Sequence, residues 1–124
     1  EWVGSCEFDV WRQATLPVAV YEPGSQARRG ALAALDAVGR SYRVVYNTPS
    51  LAGQLAAVES GIAVAALTRC SVPAHLRILG ERHGLPPLQP MHVALLRSRA
   101  SAGSPAVDAL EEAMLRTLAR PAPA

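Results

Sequence analysis

The chain has 124 residues, of which 50% are apolar and 18% are charged, and its formal net charge is +2. A domain of this length buries roughly two-thirds of the surface that its unfolded chain would expose, and so high an apolar content excludes a disordered tail. The charge is spread along the chain, which excludes a basic nucleic-acid-binding surface, and the longest apolar run, 62–67, is far too short to span a membrane.

Apolar runs alternate with amphipathic stretches, a pattern that predicts an α/β fold: an open, mostly parallel sheet with flanking helices. In chain order the predicted elements are a short strand at 2–6, a strand at 17–21, a helix from Ser25 to about Val38, a strand at 42–46, a helix from Thr48 to 60, a strand at 62–67, a short edge strand at 76–79, a strand at 91–96 and a helix at 104–120. The strand at 62–67 is apolar throughout, which predicts a central position with both faces covered.

The ends of the predicted helices carry local signals. Ser25 is a good cap for the first helix, and Gly39 stops it. Thr48 followed by Pro49 predicts the start of the second helix, because proline is favoured at the first helical position, and Gly61 ends it. The last helix opens on a Ser-Pro pair and carries its acidic residues early and its basic residues late, as the helix dipole prefers.

Two strand-to-helix turns form the candidate binding site, Glu22–Ser25 and Asn47–Ser50. Ligands of open α/β sheets bind outside the carboxyl ends of the strands, and both turns place hydroxyl or amide side chains beside helix N-termini. This arrangement suits a carboxylate or another anion. For any one of these residues, an ordinary helix cap is the alternative interpretation.

Arg28 lies in the first turn of its helix, where the helix dipole mildly disfavours a cation. A small local violation of this kind can mark function. Arg28 is therefore a candidate to contact an anionic ligand or to fix the turn, and a solvated arginine is the alternative.

The sequence offers no recognisable catalytic or metal-binding pattern. No nucleophile motif or glycine-rich phosphate loop is present, and His75, His83 and His92 lie in three different elements without ligand spacing. Cys6 and Cys70 are distant in sequence, so we expect free thiols of a cytoplasmic protein, with a redox-sensing pair as the alternative. We predict a binding domain that needs neither cofactor nor metal, rather than an enzyme.

Taken in order, these segments resemble the effector-binding domain of LysR-type bacterial transcriptional regulators. The likeness includes a Pro-led strand that runs into a turn, a small residue and an arginine, Leu16–Arg28, and it extends from about Trp2 to Leu118. The order and spacing of the segments carry the resemblance. Its further segments are 31–39, 42–46, Ser50–Gly61, 62–67, Val72–Leu79, Leu85–Leu88 and His92–Ser98.

The resemblance implies a periplasmic-binding-protein-like fold of type 2, in which two crossing strands join two α/β subdomains and the effector lies between them. The winged helix-turn-helix head, the linker helix and most of the first subdomain would lie outside this sequence, so we expect a piece of a longer protein. The implied segments are the outgoing crossing strand (1–6), the second subdomain (16–90), the returning crossing strand (91–98), a helix of the first subdomain (104–120) and a disordered tail (121–124).

By the same resemblance, the family's effector groups fall on the turn at Asn47–Ser50 and around Gly61 and Thr68. The sequence departs from the family at two positions: Ala63 replaces the second glycine of a usual Gly-x-Gly, and Thr68 stands where proline is frequent. The implied partners are a small-molecule effector, a dimer or tetramer of the same chain, and DNA through the missing head alone, with no membrane. Ligand binding would control transcription by changing the oligomer. The alternatives are a fragment of a periplasmic solute-binding protein, a small α/β enzyme, or a thiol-based regulator that uses the two cysteines.

Overall fold

The computed structural model describes residues 1–92 and 94–118, which fall into two compact units, unit 1 (1–90) and unit 2 (the described residues from 91 onward). Among the described residues, no helix has the length and hydropathy that a membrane span requires. The strands are β1 (Trp2–Gly4), β2 (Leu16–Val20), β3 (Tyr42–Asn47), β4 (Val64–Ala66) and β5 (Arg77–Leu79), and the helices are α1 (Gln26–Ala37), α2 (Leu51–Glu59) and α3 (Pro105–Leu118).

The five strands of unit 1 form one sheet in the order β3-β2-β4-β1-β5. β2 pairs in parallel with β3 and with β4, whereas β1 pairs antiparallel with β4 and with β5. The α/β class and the flanking helices are confirmed, and β4 is central as predicted. The mostly parallel sheet is also confirmed, since four of the five strands run in the same direction; β1 runs against both of its neighbours and makes the sheet mixed.

Two predicted strands differ from the structure. The strand predicted at 62–67 is shortened to Val64–Ala66, because the N–H groups of Ile62 and Ala63 both donate to the Ala57 carbonyl at the end of α2. The strand predicted at 91–96 is not formed by its described residues, which are irregular. A strand needs a hydrogen-bonded neighbour, and the described part of unit 2 contains no second strand to supply one.

The two helices of unit 1 cover opposite faces of the sheet. Ala31 and Leu35 of α1 pack into a cluster with β-strand side chains of the first face, and Ala57 and Val58 of α2 pack into a cluster on the second face. The first cluster contains Trp2, Leu16, Val18, Val20, Ala31, Leu35, Val64, Leu79 and Leu85, and the second contains Val3, Ala19, Ala57, Val58, Ala63, Ala65, Leu67 and Leu76. Apolar side chains alternate between the faces along each strand, so a short sheet builds two cores.

The chain after β5 folds back over the first face. Leu85 is buried in the first cluster, and the indole Nε1 of Trp2 donates to the Pro86 carbonyl at 2.9 Å. This hydrogen bond satisfies a polar group in the core and joins residues that lie 84 positions apart. Residues 85–88 thus form neither helix nor strand but are held in place.

A histidine secures the turn that starts this segment. The N–H of Gly80 donates to Nδ1 of His83 at 3.0 Å, and the His83 ring meets the Trp11 ring edge-on, with their centroids 4.9 Å apart. Because Nδ1 accepts a hydrogen bond, the neutral ring carries its proton on Nε2. Burial lowers the pKa of His83 below the usual 6.5, and the nearby Arg82 and Arg77 act in the same direction.

In unit 2 an arginine joins α3 to the turn that precedes it. Nη1 of Arg97 lies 2.6 Å from an Asp108 carboxylate oxygen and 2.9 Å from a Glu111 carboxylate oxygen, while Nη2 donates to the Ser101 carbonyl at 2.7 Å. The helix start predicted at Ser104-Pro105 is confirmed. Residues 119–124, which include the end of the predicted helix and the predicted tail, lie outside the described residues.

We expect Leu35→Ala to destabilise unit 1 by about 2–5 kcal/mol, because it empties a fully buried position between α1 and the first face. Val38→Ala, at the exposed end of the same helix, is the matched control and should change the free energy of unfolding by less than about 0.5 kcal/mol. Urea unfolding followed by far-UV circular dichroism measures both. Equal losses for the two variants would contradict this assignment of the core.

We also expect the free energy of unfolding to fall as the pH is lowered through and below 6.5. The pKa of His83 is lower in the folded than in the unfolded chain, so the unfolded chain binds the proton first and acid favours unfolding. In His83→Asn the amide oxygen can accept from Gly80 at any pH, so this part of the pH dependence should vanish. An unchanged dependence in thermal unfolding of the variant would count against it.

Candidate functional site

The carboxyl ends of β2 and β3 lie side by side at one end of the sheet. The chain leaves β2 for α1 on the first face, and it leaves β3 for α2 on the second face. The order of the strands along the sheet reverses at β2, which has β3 on one side and β4 on the other, and ligands of open α/β sheets bind outside the carboxyl ends of the strands at such a reversal. We call the space between the two turns that follow β2 and β3, Tyr21–Ser25 and Asn47–Ser50, the switch-point crevice, and these turns are its walls.

Arg28 bridges the two walls of the switch-point crevice. Its Nη1 donates to the Tyr21 carbonyl at 3.0 Å and to the Asn47 side-chain oxygen at 2.9 Å. The first acceptor follows β2 and the second ends β3, so Arg28 does fix the turns, one of the two roles considered for it. The structure records no protein partner for its Nε or Nη2 among residues 1–92 and 94–118.

Ser25 and Ser50 cap the two helices that begin at the crevice. The hydroxyl oxygen of Ser25 accepts from the Arg28 N–H, and that of Ser50 accepts from the Gly53 N–H, each at 3.4 Å. The Ser25 cap is confirmed. The predicted start of the second helix at Thr48-Pro49 is wrong: α2 starts at Leu51, because Ser50 rather than Thr48 supplies the capping oxygen.

Thr48 holds the second wall in place. Its N–H donates to the Val20 carbonyl at 3.1 Å, which ties the wall to the end of β2, and its hydroxyl accepts from the Ser50 N–H at 3.1 Å. Pro49 lies between these contacts and is exposed. Hydrogen bonds therefore hold the backbone of this wall at Thr48 and at Ser50.

Sequence reasoning missed Gln54, which lies beneath the second wall. It is 1% exposed, its Nε2 donates to the Thr48 carbonyl at 3.4 Å, and its Oε1 is buried without a partner in the described part of the chain. A signal was present, since Gln54 lies one helical turn after Ser50 and next to apolar positions of the buried face of α2. A polar side chain at such a position indicates a specific hydrogen bond.

The remaining two predicted site residues lie apart from the crevice. Thr68 follows the carboxyl end of β4, which lies on the other side of β2 from the crevice. Its hydroxyl lies 2.8 Å from that of Ser71. Gly61 precedes β4 and therefore lies near the amino end of that strand, at the opposite end of the sheet from the crevice. A Cβ at Gly61 would come within 2.5 Å of the Phe8 ring, so this glycine serves packing there.

The two thiols also lie at opposite ends of the sheet. Cys6 follows the end of β1, and Cys70 follows the end of β4, which is antiparallel to β1 with Trp2 opposite Ala66. Both cysteines are free and exposed. A disulfide requires Cα atoms within about 7 Å, which this placement at opposite edges does not provide.

The recorded partners of Arg28 are uncharged, as are those of the half-buried Arg40, which donates to the carbonyls of Trp11, Gln13 and Ala14. Arg77 and Arg97 each pair with carboxylates, whereas both acceptors that Arg28 contacts are neutral. Within residues 1–92 and 94–118, no three His, Cys, Asp or Glu side chains lie close enough to hold a metal ion. The crevice thus offers an uncompensated cation, two helix N-termini and hydroxyl groups, a set that suits an anion.

A family model described as the LysR substrate binding domain matches residues 12–119. The chain belongs to this family. It is 38% identical over 94 residues to the HTH-type transcriptional regulator DgdR of Burkholderia cepacia, a match that covers 76% of this chain and 32% of that protein. It is 29% identical over 97 residues to the HTH-type transcriptional regulator PecT of Dickeya dadantii (strain 3937), covering 78% of this chain and 31% of that protein. The chain thus spans about a third of the length of these relatives.

The family membership confirms the resemblance drawn from the order of the segments. The chain is an effector-binding domain of the LysR type, from a family of transcription factors rather than enzymes. The alternative of a small α/β enzyme is therefore wrong. Both relatives are regulators, which also disfavours a periplasmic solute-binding protein.

We expect Ser50→Ala to cost about 1 kcal/mol of stability, because it removes the oxygen that caps α2, while Ser50→Gly should cost only a few tenths of a kcal/mol. Thermal unfolding of both variants at one pH measures the difference. If Thr48 capped the helix instead, both Ser50 variants would match the wild type.

Proposed function

We propose that this domain senses a small carboxylate, which binds in the switch-point crevice with Arg28 as its charge partner. The observation that carries the proposal is the half-buried Arg28 guanidinium, whose recorded partners are two neutral oxygens. A guanidinium binds a carboxylate through two parallel N–H···O bonds, and Nε and Nη2 of Arg28 form such a pair. Ser25 and the wall Asn47–Ser50 would supply the neighbouring polar contacts.

We further propose that the chain is the second subdomain of a longer regulator. Residues 1–6 and 91–98 would be its crossing strands, and α3 would belong to the first subdomain, which would close the other side of the crevice. Exposed apolar side chains on α3 support this, since Leu110 and Met114 lie on the face that such packing would cover. The segment 91–98, whose described residues are irregular, would then become a strand when its neighbour is present.

In that longer protein, a winged helix-turn-helix head would contact DNA, and the effector domain would assemble as a dimer or tetramer in the cytoplasm. Effector binding would alter the relation of the subunits and thereby transcription. The names of both relatives as HTH-type regulators support this role. The small net charge of this chain agrees with DNA binding by another segment.

The test is an NMR titration of the chain with propionate at constant ionic strength. We expect weak binding, because half of the proposed crevice wall is absent, with shifts at Ser25, Arg28 and Ser50. Arg28→Ala should weaken it at least about tenfold, since hydrogen bonds to charged groups are worth about 1.5–3 kcal/mol. Arg43→Ala removes the same charge from an exposed position near the start of β3, outside the walls of the crevice, and should leave the affinity within about twofold.

Shifts that cluster on α3 instead of the crevice would contradict the proposal. Equal losses in the two arginine variants would also contradict it, because they would reduce the binding to general electrostatic attraction.

A further inference from the structure

The hydrogen bond between Arg28 and Asn47 joins a cation to an uncharged amide oxygen. Nη1 of Arg28 has two N–H groups, and both are used, one by the Tyr21 carbonyl at 3.0 Å and one by the Asn47 amide oxygen at 2.9 Å. These bonds orient the guanidinium plane without adding a negative charge. The remaining N–H groups, on Nε and Nη2, form the side-on fork that fits a carboxylate.

Two other arginines of the chain pair with acids, whereas the half-buried Arg40 uses both Nη1 and Nη2 on backbone carbonyls. The side chains of Arg77 and Arg97 are 34% and 28% exposed, and each has an aspartate oxygen within 2.8 Å of Nη1. At Arg28 the corresponding acceptor is an amide. Asparagine and aspartate have nearly the same shape but differ in charge. The residue at 47 therefore decides whether the positive charge of Arg28 is compensated within the protein or left for a ligand.

We propose that Asn47 is the positioning residue that makes the switch-point crevice selective for anions: it orients Arg28 and leaves its charge uncompensated. This inference rests on the proposed function and deepens it, since it names what sets the charge of the effector. Asn47 acts through Arg28. Its position is held by the next residue, because the Thr48 N–H donates to the Val20 carbonyl at 3.1 Å.

The test compares Asn47→Asp and Asn47→Ala with the wild type in propionate titrations of the full chain. Asn47→Asp supplies an internal carboxylate at Nη1, and we expect it to weaken propionate binding at least about tenfold. Asn47→Ala keeps the charge and the Tyr21 bond but loses one orienting partner, so we expect a loss of about threefold. The Arg28 side-chain Nε–H signal should shift on propionate addition in the wild type and stay fixed in Asn47→Asp.

The charge control is Gln26→Glu, which adds one negative charge to the first turn of the same helix. We expect it to change propionate affinity by less than about twofold at physiological ionic strength. Thermal unfolding accompanies each titration. Asn47→Asp should be at least as stable as the wild type, since an ion pair replaces a hydrogen bond from the Arg28 guanidinium to an uncharged amide.

The outcomes separate the two ideas. Propionate binding by the wild type that depends on Arg28 but is unchanged in Asn47→Asp overturns the role of Asn47 and leaves the proposed function standing. Tighter binding in Asn47→Ala also overturns it, because Asn47 would then compete with the ligand. A wild type that does not respond to propionate overturns the carboxylate preference and this inference with it.

Discussion

The pairing of β2 is the constraint on which unit 1 depends. This strand makes both parallel pairings of the sheet, and its five residues are buried. Crossover connections between parallel strands are right-handed, so the connection to β3 on one side must carry its helix on one face, and the return past β2 to β4 must carry its helix on the other. The point at which the strand order reverses therefore follows from these connections and does not depend on the residues around it.

The position of Arg28 beside this crevice is what makes it a candidate ligand-binding residue. Arg28 would be an ordinary surface arginine if α1 began at a distance from β3. Because its helix begins beside the end of β3, its guanidinium reaches Asn47, 19 residues away in sequence. The geometry of the fold brings a cation and a neutral amide together at the position where a ligand would enter.

Local signals in the sequence were sufficient for much of the fold. The α/β class, the Ser25 cap and the central position of β4 could be predicted, since each follows from a short apolar run or a capping residue. The start of the second helix was predicted wrongly because Thr48 and Ser50 are both acceptable capping residues. The choice between them depends on the Thr48 contact with β2. The reversed direction of β1 was not predicted, because strand direction depends on pairing between distant segments.

The positions of the candidate site residues were predictable in part, and their role in binding stays a prediction. Ser25, Arg28 and the wall Asn47–Ser50 follow from the rule for strand ends, whereas the bridging contact of Arg28 and the burial of Gln54 require coordinates. Gly61 was grouped with them by family resemblance, and the structure places it at the far edge of the sheet.

The contact at Gly61 links two positions that are far apart in sequence. The Phe8 ring occupies the space that a Cβ at 61 would need, and Gly61 has a φ of 70°, which side chains rarely adopt. A larger residue at 61 would displace the ring, and a small residue at 8 would leave a gap above the glycine. Position 61 is therefore held to glycine twice, by its own backbone angle and by the ring at position 8, and a smaller residue at 8 would lift only the second constraint.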